Sequence, residues 1–202
     1  MLIETIINLN NQSVELIHQH DYTNAIESSG QGLVCSQVYN RDRRMYDSNT
    51  ITQEYSCQQT TQEGVSTKQH IDRYMSLPSG SHGDVAISSS DSLIYRHGIC
   101  LPPAEVTDIF VVSSSLIFNA ALAHHLLAGQ SSNNPAAARA LLQKAKQLYA
   151  MAHRAVDRRG SKLFRFAVIN NLGVIERKLG NAVLSNQYFD YLACTLAQHI
   201  KI

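Results

Sequence analysis

Ser81, His82 and Asp84 supply, within four consecutive positions, the three residue types of a serine-hydrolase triad. A working triad needs a rigid scaffold that fixes its side chains in space. These residues lie instead in "SLPSGSHGD", a cluster of turn-forming residues inside a polar stretch. We therefore expect no catalytic role for them, and the sequence contains no stronger catalytic constellation.

The histidine, cysteine and glycine patterns give no metal or phosphate site. His124 and His125 are adjacent, so on a helix their side chains point about 100° apart and cannot chelate one ion together. The four cysteines are scattered and form no CxxC pair. The stretch "SGQGL" at residues 29–33 lacks the lysine of a phosphate-binding loop. The sequence predicts a protein that is not an enzyme and has neither metal nor cofactor.

A basic stretch stands out from the weak overall charge of +1. Residues 144–178 contain nine Lys or Arg against two acidic residues, whereas the rest of the chain is net acidic. Such a surface could attract an acidic peptide, a phosphorylated segment or RNA. Nucleic acid is the less favoured partner, because no stacking aromatic residues are interleaved. A solvated surface with basic residues at helix ends explains much of the same pattern.

Composition indicates the class of protein, and the terminal and apolar stretches indicate its location. Hydrophobic residues make up 44% of the chain and charged residues 16%, which suits a globular protein with a sizeable core. The amino terminus has no basic stretch typical of a signal peptide. The most apolar stretch, residues 109–128, is interrupted by serines, an asparagine and two histidines, which disfavours a membrane span. We expect a soluble intracellular protein, cytoplasmic by default and without a membrane partner.

Apolar residues spaced three and four apart predict an all-α chain of six helices. Two helices fall within residues 1–38, and Asp21 is the expected N-cap of the second. Pro135 suits the first turn of the fourth helix, where its missing N–H costs nothing. Gly160 and Gly180 are expected to end the fourth and fifth helices. Short connections pair the six helices into three antiparallel helical hairpins within a single domain, residues 1–202.

Residues 39–107 interrupt this pattern as a long insertion. Its first part, 39–91, is dominated by polar residues and can bury little apolar surface. We expect this part to be mobile and partly disordered. Near its end, "DVAIS" and "SLIYRHGICLP" alternate enough to predict a small β-hairpin.

The helical hairpins resemble tetratricopeptide repeats (TPRs), helix-turn-helix units of about 34 residues that stack into a superhelix. The third hairpin matches at Ile169, Leu172-Gly173, Gly180-Asn181 and Phe189. In the first, "QHDYTNAI" at 19–26 is similar to the turn of the family. The second matches at Ala120-Ala121 and at Ala145, Tyr149 and Ala152. Departures are Gln12-Ser13 for Leu-Gly, Glu176 and His124 for aromatic residues, and Ser185 for an alanine.

The resemblance implies a binding face. It aligns three asparagines, Asn11, Asn119 and Asn171, on the first helices of the three hairpins. In the family, such asparagines can face the concave groove, where a carboxamide binds a peptide backbone as both donor and acceptor. They can also bond a neighbouring helix instead. The same face is expected to carry Phe118 and Leu122 for apolar contact, with Arg177 and Lys178 for acidic groups.

The expected function is therefore a non-enzymatic module that binds an extended peptide or helix of another protein in this groove. A nucleic-acid adaptor using residues 144–178 is the alternative. An enzyme with a site between the insertion and the groove is the third possibility. Terminal faces could pair two copies into a homodimer. The insertion could lie over the groove as an inhibitory strand or act as a regulatory tether.

Overall fold

The computed structural model describes residues 2–51, 71–75, 94–103, 106, 108–157 and 162–199. Within these residues every regular element is helical, which confirms the all-α class. The helices are α1 (Leu2–His18), α2 (Tyr22–Ile51), a short 3-10 helix (Ile71–Tyr74), α3 (Ile109–Gln130), α4 (Pro135–Asp157), α5 (Lys162–Lys178) and α6 (Ala182–His199). The apolar periodicity thus located all six α-helices.

Helices pair in sequence order, α1 with α2, α3 with α4 and α5 with α6. Successive pairs are joined by contacts of α2 with α3 and of α4 with α5. The first helices of the first two pairs, α1 and α3, also touch. The core is therefore continuous from one helical hairpin to the next, as the stacking of hairpins requires.

The turns of the first and third helical hairpins share one hydrogen-bond pattern. The Asp21 N–H donates to the Leu16 carbonyl at 2.9 Å, and the Asn181 N–H donates to the Glu176 carbonyl at 2.8 Å. This six-to-one bond defines a Schellman motif. In that motif the residue just before the N–H donor takes a positive φ. That residue is His20, at φ 61°, in the first turn and Gly180, at φ 87°, in the third.

In both hairpins the two helices pack against each other at equivalent positions, but through different side chains. In the third hairpin, a Cβ on Gly173 would lie 2.9 Å from the ring of Phe189, so the glycine makes room for the aromatic residue. In the first, Ser13 and Ser29 occupy the same two positions, and their hydroxyl oxygens lie 2.6 Å apart in a hydrogen bond. A small–large contact is thus exchanged for a pair of small polar residues. This exchange accounts for Ser13 in the place of the glycine of Leu-Gly.

Helix α2 extends further than the sequence predicted. The prediction ended this helix near residue 38 and began the insertion at 39, whereas α2 continues to Ile51. The extension has no apolar stripe that could have revealed it. The triad-like residues 81–84 and the stretch "DVAIS" lie outside the described residues.

The predicted β-hairpin is not observed. Its second half, residues 94–101, is described and forms no strand. Several of its main-chain groups bond to asparagine side chains instead, as set out below.

Helix α3 lies at the centre of the fold, in contact with α1, α2 and α4. Among the described residues it is the one helix long and apolar enough to cross a membrane, and 78% of its most apolar window is buried inside the protein. It carries Asn119 and Phe118, both fully buried. Asp108 caps its first turn by accepting from the Phe110 N–H at 2.9 Å. Its position brings Asn119 beside α1, where the Asn119 carboxamide donates to the Asn10 side-chain oxygen at 2.9 Å.

Candidate functional site: an asparagine-lined groove

Residues 94–101, here called the inner segment, lie across the first helices of the three hairpins. Each predicted asparagine binds both main-chain groups of one residue in this segment. The three pairs are Asn171 with Tyr95, Asn119 with Ile99 and Asn11 with Leu101. The chain's own backbone therefore lies beside these asparagines, in the place where the main chain of a partner was expected.

The bond lengths are similar in all three pairs. The N–H groups of Tyr95, Ile99 and Leu101 each donate to a carboxamide oxygen with N···O distances of 2.8 Å. The carboxamide nitrogens donate to the carbonyl oxygens of the same three residues at 3.1, 3.1 and 2.6 Å. Each side chain thus takes the place that a residue of a neighbouring strand has in an antiparallel sheet.

The spacing of the bonded residues explains how one chain reaches three helices. Tyr95, Ile99 and Leu101 are four and two positions apart, so in extended chain their N–H and C=O groups lie on the same edge. An extended backbone covers roughly 7 Å in two residues and 13 Å in four, which brackets the 8–10 Å or so between packed helices. The inner segment accordingly passes α5, then α3, then α1.

Asn10 is a fourth member of the site, and the sequence reasoning missed it. Its carboxamide nitrogen donates to the Ile99 carbonyl at 2.8 Å, and its oxygen accepts from Asn119 at 2.9 Å. The signal that could have found it is the asparagine pair itself, since "NN" occurs at 10–11 and again at 170–171. Asn10, Asn119 and Asn171 are fully buried and Asn11 is half-buried.

Side chains of the inner segment fill the space between the helices. Ile94, Ile99 and Leu101 are buried, whereas Cys100 is exposed. Gly98 is held against α1, because a Cβ there would lie 3.0 and 3.1 Å from the two methyl carbons of Val14. A side chain at position 98 would therefore push the backbone away from the asparagines.

Aromatic rings support the amino-terminal end of the inner segment. The Tyr95 ring packs edge-on against Phe118, with ring centroids 6.1 Å apart. The Phe118 ring in turn packs against the rings of Tyr149 and Phe164, with centroid distances of 5.6 and 5.4 Å. The Tyr149 hydroxyl accepts from the Asn171 carboxamide at 2.9 Å, so the rings and the asparagine belong to one network. Burial raises the pKa of Tyr95 to about 12 and raises the pKa of Tyr149 as well.

The other predicted site residues do not join the asparagines on one open face. Phe118 and Leu122 have no exposed surface and lie in the core. Arg177 is exposed, and its guanidinium carbon lies 5.1 Å above the centre of the Phe189 ring on α6. Lys178 is half-buried. The structure brings the carboxamides together on the inner segment, whereas the Arg177 guanidinium lies over a ring of α6.

Part of the basic stretch is engaged inside the protein. Lys146 on α4 pairs with Glu176 on α5, with the ammonium nitrogen 2.6 Å from a carboxylate oxygen. Glu176 is fully buried, and its other oxygen accepts from the Asn181 carboxamide at 2.6 Å. This pair ties the second hairpin to the third. Arg158 and Arg159 lie outside the described residues.

His124 and His125 pack against or bond to groups of the protein interior. His125 is fully buried, with its ring 6.3 Å from that of Tyr149. The His124 ring nitrogen lies 2.8 Å from the Ala120 carbonyl. Burial lowers the pKa of His124, the charge of Lys144 lowers it further, and the bond to Ala120 opposes both. Within the described residues, no three His, Cys, Asp or Glu side chains are grouped so as to hold a metal ion.

Comparisons with known proteins add no relative. The chain matches no protein-family model, no curated protein and no solved structure. The resemblance to TPRs therefore remains a prediction drawn from the residues named above.

Proposed function

We propose that this chain is a protein-interaction module, a TPR-like stack of three helical hairpins whose asparagine-lined groove binds an extended segment of a partner protein. The observation that carries this proposal is the set of three carboxamides that each bind the N–H and C=O of one residue. Such bonds are the same whatever side chain the bound residue carries. A foreign main chain could therefore take the place of the inner segment.

The inner segment then acts as an internal competitor. It is part of the same chain, so its effective concentration at the groove is of millimolar order for a short flexible connection. A partner has to offer additional contacts or a better fit to displace it. Arg177 is exposed, so its guanidinium can also meet acidic groups that flank such a partner segment.

The nucleic-acid alternative has less support. Lys146 is committed to the buried Glu176. This contact reduces the positive charge that the 144–178 stretch could offer to phosphates. Binding of RNA or DNA that falls steeply with salt would revive this alternative.

The proposal is tested by supplying the inner segment from outside. In the full-length chain, residues 94–101 are replaced by glycine and serine, which opens the groove. A fluorescent peptide of residues 93–103 is then titrated, and its anisotropy is followed together with the far-UV circular dichroism of the protein. A matched control carries the same replacement and Asn119→Leu, which keeps the branched shape and the number of heavy atoms and removes the carboxamide.

Saturable binding that the control weakens supports the proposal. If the opened chain is poorly folded, the same result appears as recovery of helical circular dichroism on addition of the peptide. A folded, opened chain that binds no peptide contradicts the proposal. So does an unfolded chain that the peptide does not restore.

A further inference from the structure

We infer that the groove selects partner segments with the pattern aromatic-x-x-Gly-aliphatic-x-aliphatic. The pattern is counted from the residue held by Asn171 to the residue held by Asn11. This inference rests on the proposed function and names the class of partner that the same groove accepts. The inner segment itself, "YRHGICL", is the occupant from which the pattern is taken.

The three asparagines fix the register of any bound chain. They engage the first, fifth and seventh positions of the pattern, which the inner segment fills with Tyr95, Ile99 and Leu101. A slip of one residue would turn the bonded edge of the chain away from the helices. The carboxamides therefore determine which positions face the core, although they read no side chain themselves.

The fourth position requires glycine. The ideal Cβ position at Gly98 lies 3.0 Å from Val14 Cγ2 and 3.4 Å from the Asn119 carboxamide oxygen. Any larger side chain at this point meets both α1 and the asparagine that holds the next residue. This is the strictest position of the pattern.

The fifth and seventh positions require aliphatic side chains. Ile99 and Leu101 have no exposed surface, so a polar or charged side chain at either position would lose its hydration without gaining a partner. Between them, the exposed Cys100 shows that the sixth position faces outward and accepts any residue.

The first position favours an aromatic residue. Tyr95 is half-buried and packs edge-on against Phe118, whose own ring is fixed by contacts with Tyr149 and Phe164. Edge-to-face packing contributes attraction beyond the apolar area that it buries. The second and third positions, Arg96 and His97, are half-exposed and are left open in the pattern.

The test measures peptide selectivity with the full-length chain in which residues 94–101 are glycine and serine. The reference peptide covers residues 93–103 and carries Cys100→Ser to prevent oxidation. Three variants of that peptide each change one position. Two carry Gly98→Val or Ile99→Asn, and the third carries Glu in place of the reference Ser at the outward position 100. A scrambled peptide of the same composition serves as the sequence control.

We expect Gly98→Val and Ile99→Asn to weaken binding by about tenfold or more, which corresponds to the loss of one well-packed contact. Glu at position 100 should change the affinity by less than about threefold, because that side chain points to solvent. The scrambled peptide should bind no better than the two damaged ones. Where the opened chain folds only with peptide, the midpoint of the recovery of circular dichroism gives the same ranking.

The outcomes separate the inference from the function on which it rests. Equal binding of the reference, variant and scrambled peptides would overturn the pattern and leave a groove that binds main chain without selection. Absence of binding and of refolding with every peptide would overturn the proposed function itself. A ranking in which position 100 matters and position 98 does not would also overturn the pattern.

Discussion

Asn119 holds Ile99 by both of its peptide groups, although the two residues lie 20 positions apart and belong to a helix and an irregular segment. Its carboxamide also donates to Asn10, which bonds the same Ile99 carbonyl. All three residues are fully buried. Removal of one side chain therefore leaves its partner groups without that bond inside the core.

The first prediction concerns the unequal importance of the asparagines. Asn119→Ala leaves the Ile99 N–H without its hydrogen-bond partner in the core. Each buried group left unsatisfied should lower the free energy of unfolding by about 1–3 kcal/mol. Asn11→Ala should lower the free energy of unfolding by only about 1 kcal/mol, because Asn11 is half-buried and water can reach its site. Urea denaturation of the two variants measures the difference. A larger loss for Asn11→Ala would contradict this ranking.

The second prediction concerns the close approach of the inner segment to α1. Gly98→Ala should destabilise the protein, since the added methyl group meets Val14 at 3.0 Å. In the Val14→Ala background the same change should be milder, with a coupling energy between 0.5 and 3 kcal/mol or so. A double-mutant cycle by urea denaturation gives this coupling. Strict additivity would show that the two residues do not touch.

Gly30→Ala is the matched control for that experiment. The position lies within α2, and a Cβ there meets nothing within 4 Å. Alanine has the higher helix propensity, so this change should stabilise the protein by up to about 1 kcal/mol.

The third prediction concerns the two equivalent turns. His20 adopts φ 61° where the third hairpin has Gly180 at φ 87°. A left-handed conformation costs a residue with a Cβ about 1–2 kcal/mol. His20→Gly should therefore leave stability unchanged or raise it by up to about 1 kcal/mol, since glycine also has more entropy to lose on folding.

Gly180→Ala should have the opposite effect and lower stability by about 1 kcal/mol. Thermal unfolding of both variants checks the pair. A clear loss of stability in His20→Gly would show that the bond between His20 and the Tyr22 hydroxyl, at 2.8 Å, outweighs the strain of the turn.

The fourth prediction concerns the ion pair between α4 and α5. Lys146→Met leaves the carboxylate of the fully buried Glu176 without its counter-charge, and the cost of breaking such a pair reaches about 3–5 kcal/mol when both partners are buried. Lys146 is 39% exposed, so we expect a loss below that range. Adding Glu176→Gln removes the charge and should recover part of the loss. Chemical denaturation at neutral pH measures both steps, and equal stability of the single and double variants would contradict the argument.

Apolar periodicity and end signals were sufficient to predict that each of the six described α-helices exists, and several of their ends. Asp21 and Pro135 start helices where expected, and Gly180 ends one. The end of α2 could not be predicted, because its last residues carry no apolar stripe. The β-hairpin prediction failed at residues 94–101 for a different reason. Alternating side chains there indicate an extended chain, but they do not distinguish a partner strand from a row of carboxamides.

The asparagines could be aligned from the sequence, whereas their ligand could not. The bonds join positions 20, 76 and 90 residues apart. Because they are made to main-chain groups, they do not depend on the residue type at the bound position, so the sequence does not reveal that position. Phe118 and Leu122 were expected to face an open groove, and both are fully buried. Tyr95 of the inner segment packs against Phe118, a contact that the sequence does not reveal either.

The proposed function requires the inner segment to be an exchangeable occupant of the groove. Hydrogen exchange of the unmodified chain tests this directly by comparing the amides of Ile99 and Leu101 with core amides of α3 such as Leu122. An exchangeable segment opens without global unfolding, so we predict an opening free energy at least about 2 kcal/mol lower for the segment than for α3. Equal protection of both would show that the segment is a permanent part of the core, and would contradict the account.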